Sequence, residues 1–263
     1  MFNFKSRIHP KILLLVLLFG YISPLFATGF QWIIGEELVY KVKWGIIRLG
    51  TLKLEIVDSL QMDGRKVFHT RMYIDSNPKL FFVNMHSVFD SYINEDFYPH
   101  LFVADEKIDG VTYETEYRFN YSDSLIEITM TDIEDTTNII QKEMVLEEKI
   151  QDGMSLIFFA RGNITSSQTK NLTAFFNAEK GRVVLRIKGL DKKVKVNKLK
   201  NELLTVKIDG EAFLTSIAGF SGKYEGWFAF DEQAPPLQAR MKVFIGYVNV
   251  ELESWKHWNP PFQ

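Results

Sequence analysis

The chain of 263 residues contains no cysteine, which excludes a disulfide framework, a thiol nucleophile and a zinc–thiolate centre. Histidine is scarce as well. Past the N-terminal segment there are only His69, His86, His100 and His257, and no two stand at the three- or four-residue spacing of helical metal ligands. No glycine-rich phosphate loop occurs, which removes the common nucleotide-binding readings. Ser155 lies in Asp152-Gly153-Met154-Ser155-Leu156-Ile157, without the Gly-x-Ser-x-Gly elbow that exposes a hydrolase nucleophile, so a capping role is expected for it. The formal net charge of -2 supplies no overall positive field, which argues against nucleic acid as a partner. No cofactor and no metal is implied. Long linker composition is also missing, so one domain is favoured, with a division near residues 149–152 as the alternative.

What is present begins at the N-terminus. Lys5, Arg7 and Lys11 precede the apolar run 12–19, which breaks at Gly20 and Pro24 before Ala27, Thr28 and Gly29. That order is the basic, apolar, small-residue pattern of a secretory signal peptide. Residues 1–29 are therefore expected to direct export, with cleavage after Ala27 or Gly29, leaving a domain over residues 30–263. An uncleaved membrane anchor is the competing reading, because no charge interrupts residues 12–34 and about 20 residues suffice to cross a bilayer.

Beyond residue 36 the chain alternates apolar and polar residues with period two, the mark of strands buried on one face. Leu38, Tyr40, Val42 and Trp44 alternate with Val39, Lys41 and Lys43, and Leu52, Leu54 and Ile56 with Thr51, Lys53 and Glu55. These two runs predict a hairpin, with residues 45–50 as its turn. Further strands are expected at 66–75, 87–93, 101–107, 112–120, 125–131, 139–144, 172–178, 182–188, 193–199, 203–208, 224–230, 237–243 and 247–253. Asp63-Gly64 and Asp109-Gly110 have the composition of two-residue hairpin turns. The expected fold is all-β and mainly antiparallel, a curved sheet or a half-open or closed barrel. Pairing of the first and last strands would close it. Two short helices are expected as caps: one begins at Asn77-Pro78 and runs into residues 79–83, and the other covers residues 153–161, capped by Asp152 and stopped by Gly162.

The polar candidates are weak. His69 and Arg71 share a strand face near Asp75, and His86 precedes Asp90, but neither set has a complementary ligand pair. The pairs Glu36-Glu37, Glu147-Glu148 and Asp231-Glu232 point apart if in strands, unlike the facing carboxylates of glycosidases. Lys188, Lys192, Lys193, Lys195, Lys198 and Lys200, interleaved with Val194, Val196 and Leu199, predict a strand with one cationic face. That face is solvated or drawn to an anionic membrane surface or polysaccharide. Glycines 219, 222 and 226 are assigned to sheet curvature. Asn120, Asn163 and Asn171 head glycosylation tripeptides, relevant only in a glycosylating pathway. The aromatic content is more informative: 22 Phe, 10 Tyr and 5 Trp, with doublets at Phe81-Phe82, Phe158-Phe159 and Phe175-Phe176. Such doublets fill a core or line a cavity for an apolar ligand.

Three segments resemble the bacterial exported family named domain of unknown function 3108: residues 35–40 through 44–52, the block 152–161, and residues 235–240 through 245–252. The resemblance implies a periplasmic, predominantly antiparallel β protein, similar in shape to half-barrel lipoprotein carriers, and it supplies no catalytic residues. The expectation is a non-enzymatic envelope protein that holds a lipid or other hydrophobic small molecule in an apolar concave sheet, with Phe81, Phe82, Phe158 and Phe159 as ligand-binding residues. A structural module that binds another envelope protein through a sheet edge is the first alternative. An envelope hydrolase using a polar cleft around His69, Arg71 or His86 is the second.

Overall fold

A computed structural model describes residues 29–80, 85–108, 111–176, 178–214 and 221–261. Fifteen strands form one sheet. In chain order they are β1 (Glu37–Trp44), β2 (Ile47–Met62), β3 (Arg65–Ser76), β4 (His86–Asn94), β5 (Pro99–Ile108), β6 (Val111–Asn120), β7 (Leu125–Asp132), β8 (Ile139–Val145), β9 (Ile150–Gln151), β10 (Gln168–Phe176), β11 (Glu179–Val194), β12 (Leu203–Ala212), β13 (Gly222–Ala229), β14 (Pro236–Lys242) and β15 (Tyr247–Lys256). One helix, α1 (Ser155–Asn163), separates β9 from β10.

The alternation read from the sequence is the alternation of burial. In β7, residues Ile126, Ile128, Met130 and Asp132 are buried and their neighbours half-exposed, as a pleated strand covered on one side requires. Asp63 (φ 50°) and Gly64 (φ 72°) turn β2 into β3 in two residues, the left-handed pair that matches strand twist. Asp109 and Gly110 lie outside the described residues, as do Phe81, Phe82 and residues 1–28.

Several expectations are corrected. β1 does pair with β15, Leu38 opposite Trp255 and Tyr40 opposite Leu252, yet the sheet does not close. The chain runs β1 to β8 along one wing and β15 back to β9 along the other, so β1–β15 is the central seam and the free edges belong to β8 and β9. Between β8 and β10 the chain adds only the two residues of β9, which pair with β10, and then crosses as α1, so no strand bridges β8 to the other wing. The first turn is also tighter than expected: β2 begins at Ile47, leaving only Gly45 and Ile46. The predicted strand over 193–199 is not formed. β11 ends at Val194, and the following loop folds back so that Lys195 Nζ donates to the Leu199 and Lys200 carbonyls (2.8 and 2.5 Å), with Val196 and Leu199 buried.

Of the two expected capping helices, the described residues hold α1 alone. The other begins as an Asn77 turn, in which the Lys79 amide donates to Asn77 Oδ1 (3.1 Å), and its remainder lies outside the described residues. For α1, Asp152 acts as anticipated: its Oδ1 accepts the Met154 and Ser155 amides (2.8 and 2.6 Å), while Ser155 Oγ accepts the Asp152 amide (2.8 Å). This reciprocal pair satisfies donors that a helix start leaves open. Gly162 is not the stop. It lies inside α1, where a Cβ would stand 2.1 Å from the ring of Phe97, so glycine is required for that ring to pack.

Both wings bend round α1. Phe158 and Met154 pack with Leu38, Tyr117, Phe119 and Phe175 in the larger core, and Phe159, Ala160 and Ile164 pack on Leu185, Ile208 and Phe228 in a second. The residues before β1 join them: Trp32 stacks on Phe68 at 4.2 Å and on Phe158 at 4.8 Å. The wing edges meet through side chains, with Tyr117 and Phe119 set edge-on against Phe175 and the Ala178 amide bonded to Tyr117 Oη (3.1 Å). Every member of these core clusters lies between Phe30 and Trp258, so the chain from Gly29 onward carries its whole described core.

A buried charge fixes α1 in place. Arg161, fully enclosed, contacts Glu36 through Nη1–Oε2 and Nη2–Oε1 (both 2.7 Å) and donates from Nε and Nη2 to the Gln233 carbonyl (2.9 and 2.7 Å). Gln233 Nε2 bridges onward to Glu36 Oε1 (3.0 Å) and the His257 carbonyl (2.9 Å). Replacing Arg161 by Met leaves the Glu36 carboxylate buried without its cation, so urea denaturation of R161M should show a loss of about 3–5 kcal/mol. Adding Glu36→Gln should restore part of that loss, whereas independent contributions would make the two changes add.

Candidate functional site

The inner face of the sheet is not filled everywhere. An apolar chamber of about 300 Å³ lies between the wings beneath α1. Its wall comes from far-apart segments: Tyr40 and Leu54 on β1 and β2, Met72 on β3, Leu156 and Ile157 on α1, and Phe228 on β13. The strand residues arrive there because even-numbered positions of β1 to β3 face inward. The helix residues arrive as one stripe, Gly153, Leu156, Ile157 and Ala160 standing three and four apart.

A wider space of about 500 Å³ adjoins the chamber, and the two share Leu52, Ile74, Met241 and Val250. It opens at the end of the sheet that holds the β1–β2 and β14–β15 turns, and there the lining turns polar with Asp75, Ser76 and Lys242. The shape is thus a polar mouth leading into an apolar interior. Among the polar residues of the wall, Tyr224 Oη donates to the Val184 carbonyl and Glu225 accepts from Lys207 (both 2.9 Å). The Tyr40 hydroxyl is buried with no hydrogen-bond partner among the described residues, and burial holds its pKa far above that of a free phenol. An unsatisfied buried hydroxyl is costly, and this one is sealed in the core near the Arg161–Glu36 pair, whose charges act on it.

The structure separates the phenylalanines expected to bind ligand from this wall. Phe158 and Phe159 are buried in the two packed cores, on helix positions about 100° apart and turned from the chamber. Phe81 and Phe82 lie outside the described residues. The residues that do line the chamber carried a legible signal in the β1–β3 alternation and the α1 stripe. Their convergence, by contrast, depends on a seam joining residues more than 200 positions apart.

Of the polar candidates, His69 and Arg71 gather on the opposite face, whereas His86 sits on Asp75 at the mouth. His69 is buried, hydrogen-bonded through Nε2 to Asp90, 3.6 Å from Asp58, and stacked on Tyr92 with ring centroids 4.5 Å apart. Arg71 Nε donates to the same Asp90 carboxylate at 2.7 Å. His86 bonds Asp75 at 2.5 Å and not Asp90. Among the described residues no group of three or more His, Asp or Glu is disposed to hold a metal ion. Of the basic run, Lys188 lies 3.8 Å from Asp209 and Lys192 sits over the Trp227 ring, so its charge is partly spent within the sheet.

Burial works to raise the Asp90 carboxyl, but the hydrogen bonds from His69 and Arg71 outweigh it and hold the pKa below the ordinary value. A depressed folded pKa contributes stability that is present above the unfolded carboxylate pKa of about 3.9 and lost as pH falls through the folded value. Accordingly, Asp90→Asn should lower stability at pH 7, and the gap to the unaltered protein should narrow as pH falls below about 4. Urea titrations at several pH values measure this; a gap independent of pH would refute it.

Comparison with known proteins supports the architecture. A β-barrel-like protein of domain of unknown function DUF1849 from Brucella abortus superposes with a TM-score of 0.55 at 10% identity, over 88% of this chain and 100% of that one. A protein from Bacteroides fragilis described as exported, with a YmcC-like fold, aligns at 7% identity over 88% of this chain and 100% of its own with a TM-score of 0.38. A search of curated proteins finds no match. Among the described residues no helix is long and apolar enough to cross a membrane. The profile of one sequence family matches residues 39–253, from within β1 to within β15, and by that match the chain belongs to the protein family of unknown function DUF3108.

Proposed function

We propose that this protein is a non-enzymatic carrier of the cell envelope, exported through residues 1–29, that holds the apolar chain of a lipid or similar amphiphile between its wings. The observation that carries this reading is the chamber itself: an apolar wall built by both wings and α1, with polar residues added at its mouth. Binding sites for small molecules have this composition, mostly apolar with few polar groups that fix orientation, and begin at about 300 Å³. A slender chain suits the inner space, with the polar head left in the wider mouth near Asp75, Ser76 and Lys242. The histidines support binding over catalysis, since His69 is engaged by Asp90 on the outer face, away from the chamber.

A second reading rests on the β8 edge. Ile139 and Val145 are exposed there on a strand paired with β7 on one side only, a template for strand addition by another envelope protein.

Native mass spectrometry with lipid extraction on protein purified from the envelope decides between them. The carrier reading expects one apolar molecule per chain, lost in Ile157→Trp, which fills the chamber while circular dichroism stays unchanged. A ligand-free protein that takes up no hydrophobic fluorescent probe would sink the carrier reading and send the search to the β8 edge.

A further inference from the structure

The mouth of the chamber is flanked by two hairpin tips that expose large apolar side chains. Ile46 at the β1–β2 turn is 100% exposed, and at the β14–β15 turn Phe244 is 102% and Ile245 65% exposed. The tips lie side by side because β1 pairs with β15, and Trp44 Nε1 donates to the Ile245 carbonyl (2.7 Å), tying one turn to the other. Gly45 (φ 57°) and Gly246 (φ 77°) take left-handed conformations in these turns, which keeps them short. Scattered exposed apolar residues are ordinary on protein surfaces. Here they share one edge, and Phe244 also lines the mouth.

The charges round this edge are mainly positive. Lys79, Lys223 and Lys242 are exposed at the same end of the sheet. Lys242 lines the mouth, and Lys79 follows Asn77, whose amides bond the Arg48 and Leu49 carbonyls beside the first tip. The one carboxylate lining the mouth, Asp75, is hydrogen-bonded to His86. Apolar side chains projecting ahead of a ring of lysines match the layered chemistry of a bilayer surface, acyl region first and anionic headgroups behind.

We propose that the two tips form a membrane-docking edge that inserts Ile46, Phe244 and Ile245 into an anionic lipid bilayer and so sets the chamber mouth at the lipid surface. This deepens the carrier reading, on which its purpose rests, but docking and chamber occupancy are separately measurable. The test uses residues 29–263, which retain the described core and lack the apolar run 12–19. Flotation with vesicles of phosphatidylethanolamine and phosphatidylglycerol measures docking, and uptake of a fluorescent fatty acid without vesicles measures the chamber.

The expected result is that the unaltered chain floats with the vesicles, while Ile46→Ser/Ile245→Ser partitions at least about tenfold more weakly and takes up the fatty acid normally. As an independent readout, the emission of Phe244→Trp should shift to the blue when vesicles are added. A chain that does not float, or a double variant that floats as well as the original, overturns the proposal. So does a dimer in sedimentation velocity that the double variant loses, which would assign the tips to a second copy. Flotation without fatty-acid uptake would support docking and count against the carrier reading alone.

Discussion

A guanidinium sealed from water has to be satisfied entirely by its neighbours, and the neighbours of Arg161 come from every region that the fold must bring together. Glu36 precedes the first strand, Gln233 lies between β13 and β14, and Gln233 in turn donates to the carbonyl of His257 after the last strand. Asp231 extends the knot, accepting the Gln233 and Ala234 amides and the Trp258 indole N–H. Burial of the ion pair carries a desolvation cost that its hydrogen bonds must offset. In return, α1 is held in one orientation, with Phe158 and Phe159 in the cores and the Leu156–Ile157 side toward the chamber. The chamber exists because α1 cannot roll or sink to fill it.

That arrangement leaves a long sheet with two ends, and a sheet of so many strands has to curl. Curling brings β6 and β10 close enough for Tyr117, Phe119 and Phe175 to touch, without a ladder between them. The exposed edges are managed differently. β9 is only two residues long, and β8 places Lys142 and Glu143 among its apolar residues, short or charged edges being poor templates for unwanted pairing.

Strand positions were legible because each strand has one covered face, so local alternation reports tertiary burial. The readings that failed show where that logic stops. Lys193 to Leu199 alternates as a strand does, but Val194, Val196 and Leu199 are buried under a loop whose lysine is bonded to its own backbone, and alternation cannot distinguish the two. Gly162 looked like a helix stop because glycine often ends helices, whereas its role is to admit the Phe97 ring, a contact 65 positions away that no local pattern encodes. The phenylalanine doublet drew attention by its hydrophobicity, and hydrophobicity is what placed it in packed cores. Cavity walls need moderate side chains that leave room, such as Leu156, Ile157 and Ala160, and nothing in their identity sets them apart until Tyr40 and Phe228 are seen opposite.

The central seam has a kinetic side. Neighbouring strands in each wing are close in sequence and can pair as soon as they are made, but β1 waits for β15, its partner some 200 residues later. Contacts of such separation form slowly because the intervening loop must first be closed. Until Tyr247–Lys256 is available, the inner edges of β1 and β14 stand open, Glu36 and Arg161 lack the neighbourhood of His257, and the chamber has no continuous wall. Completion of the sheet is therefore reserved for the last strand of the chain, which keeps the molecule unfinished, and threadable, for nearly the whole of its synthesis.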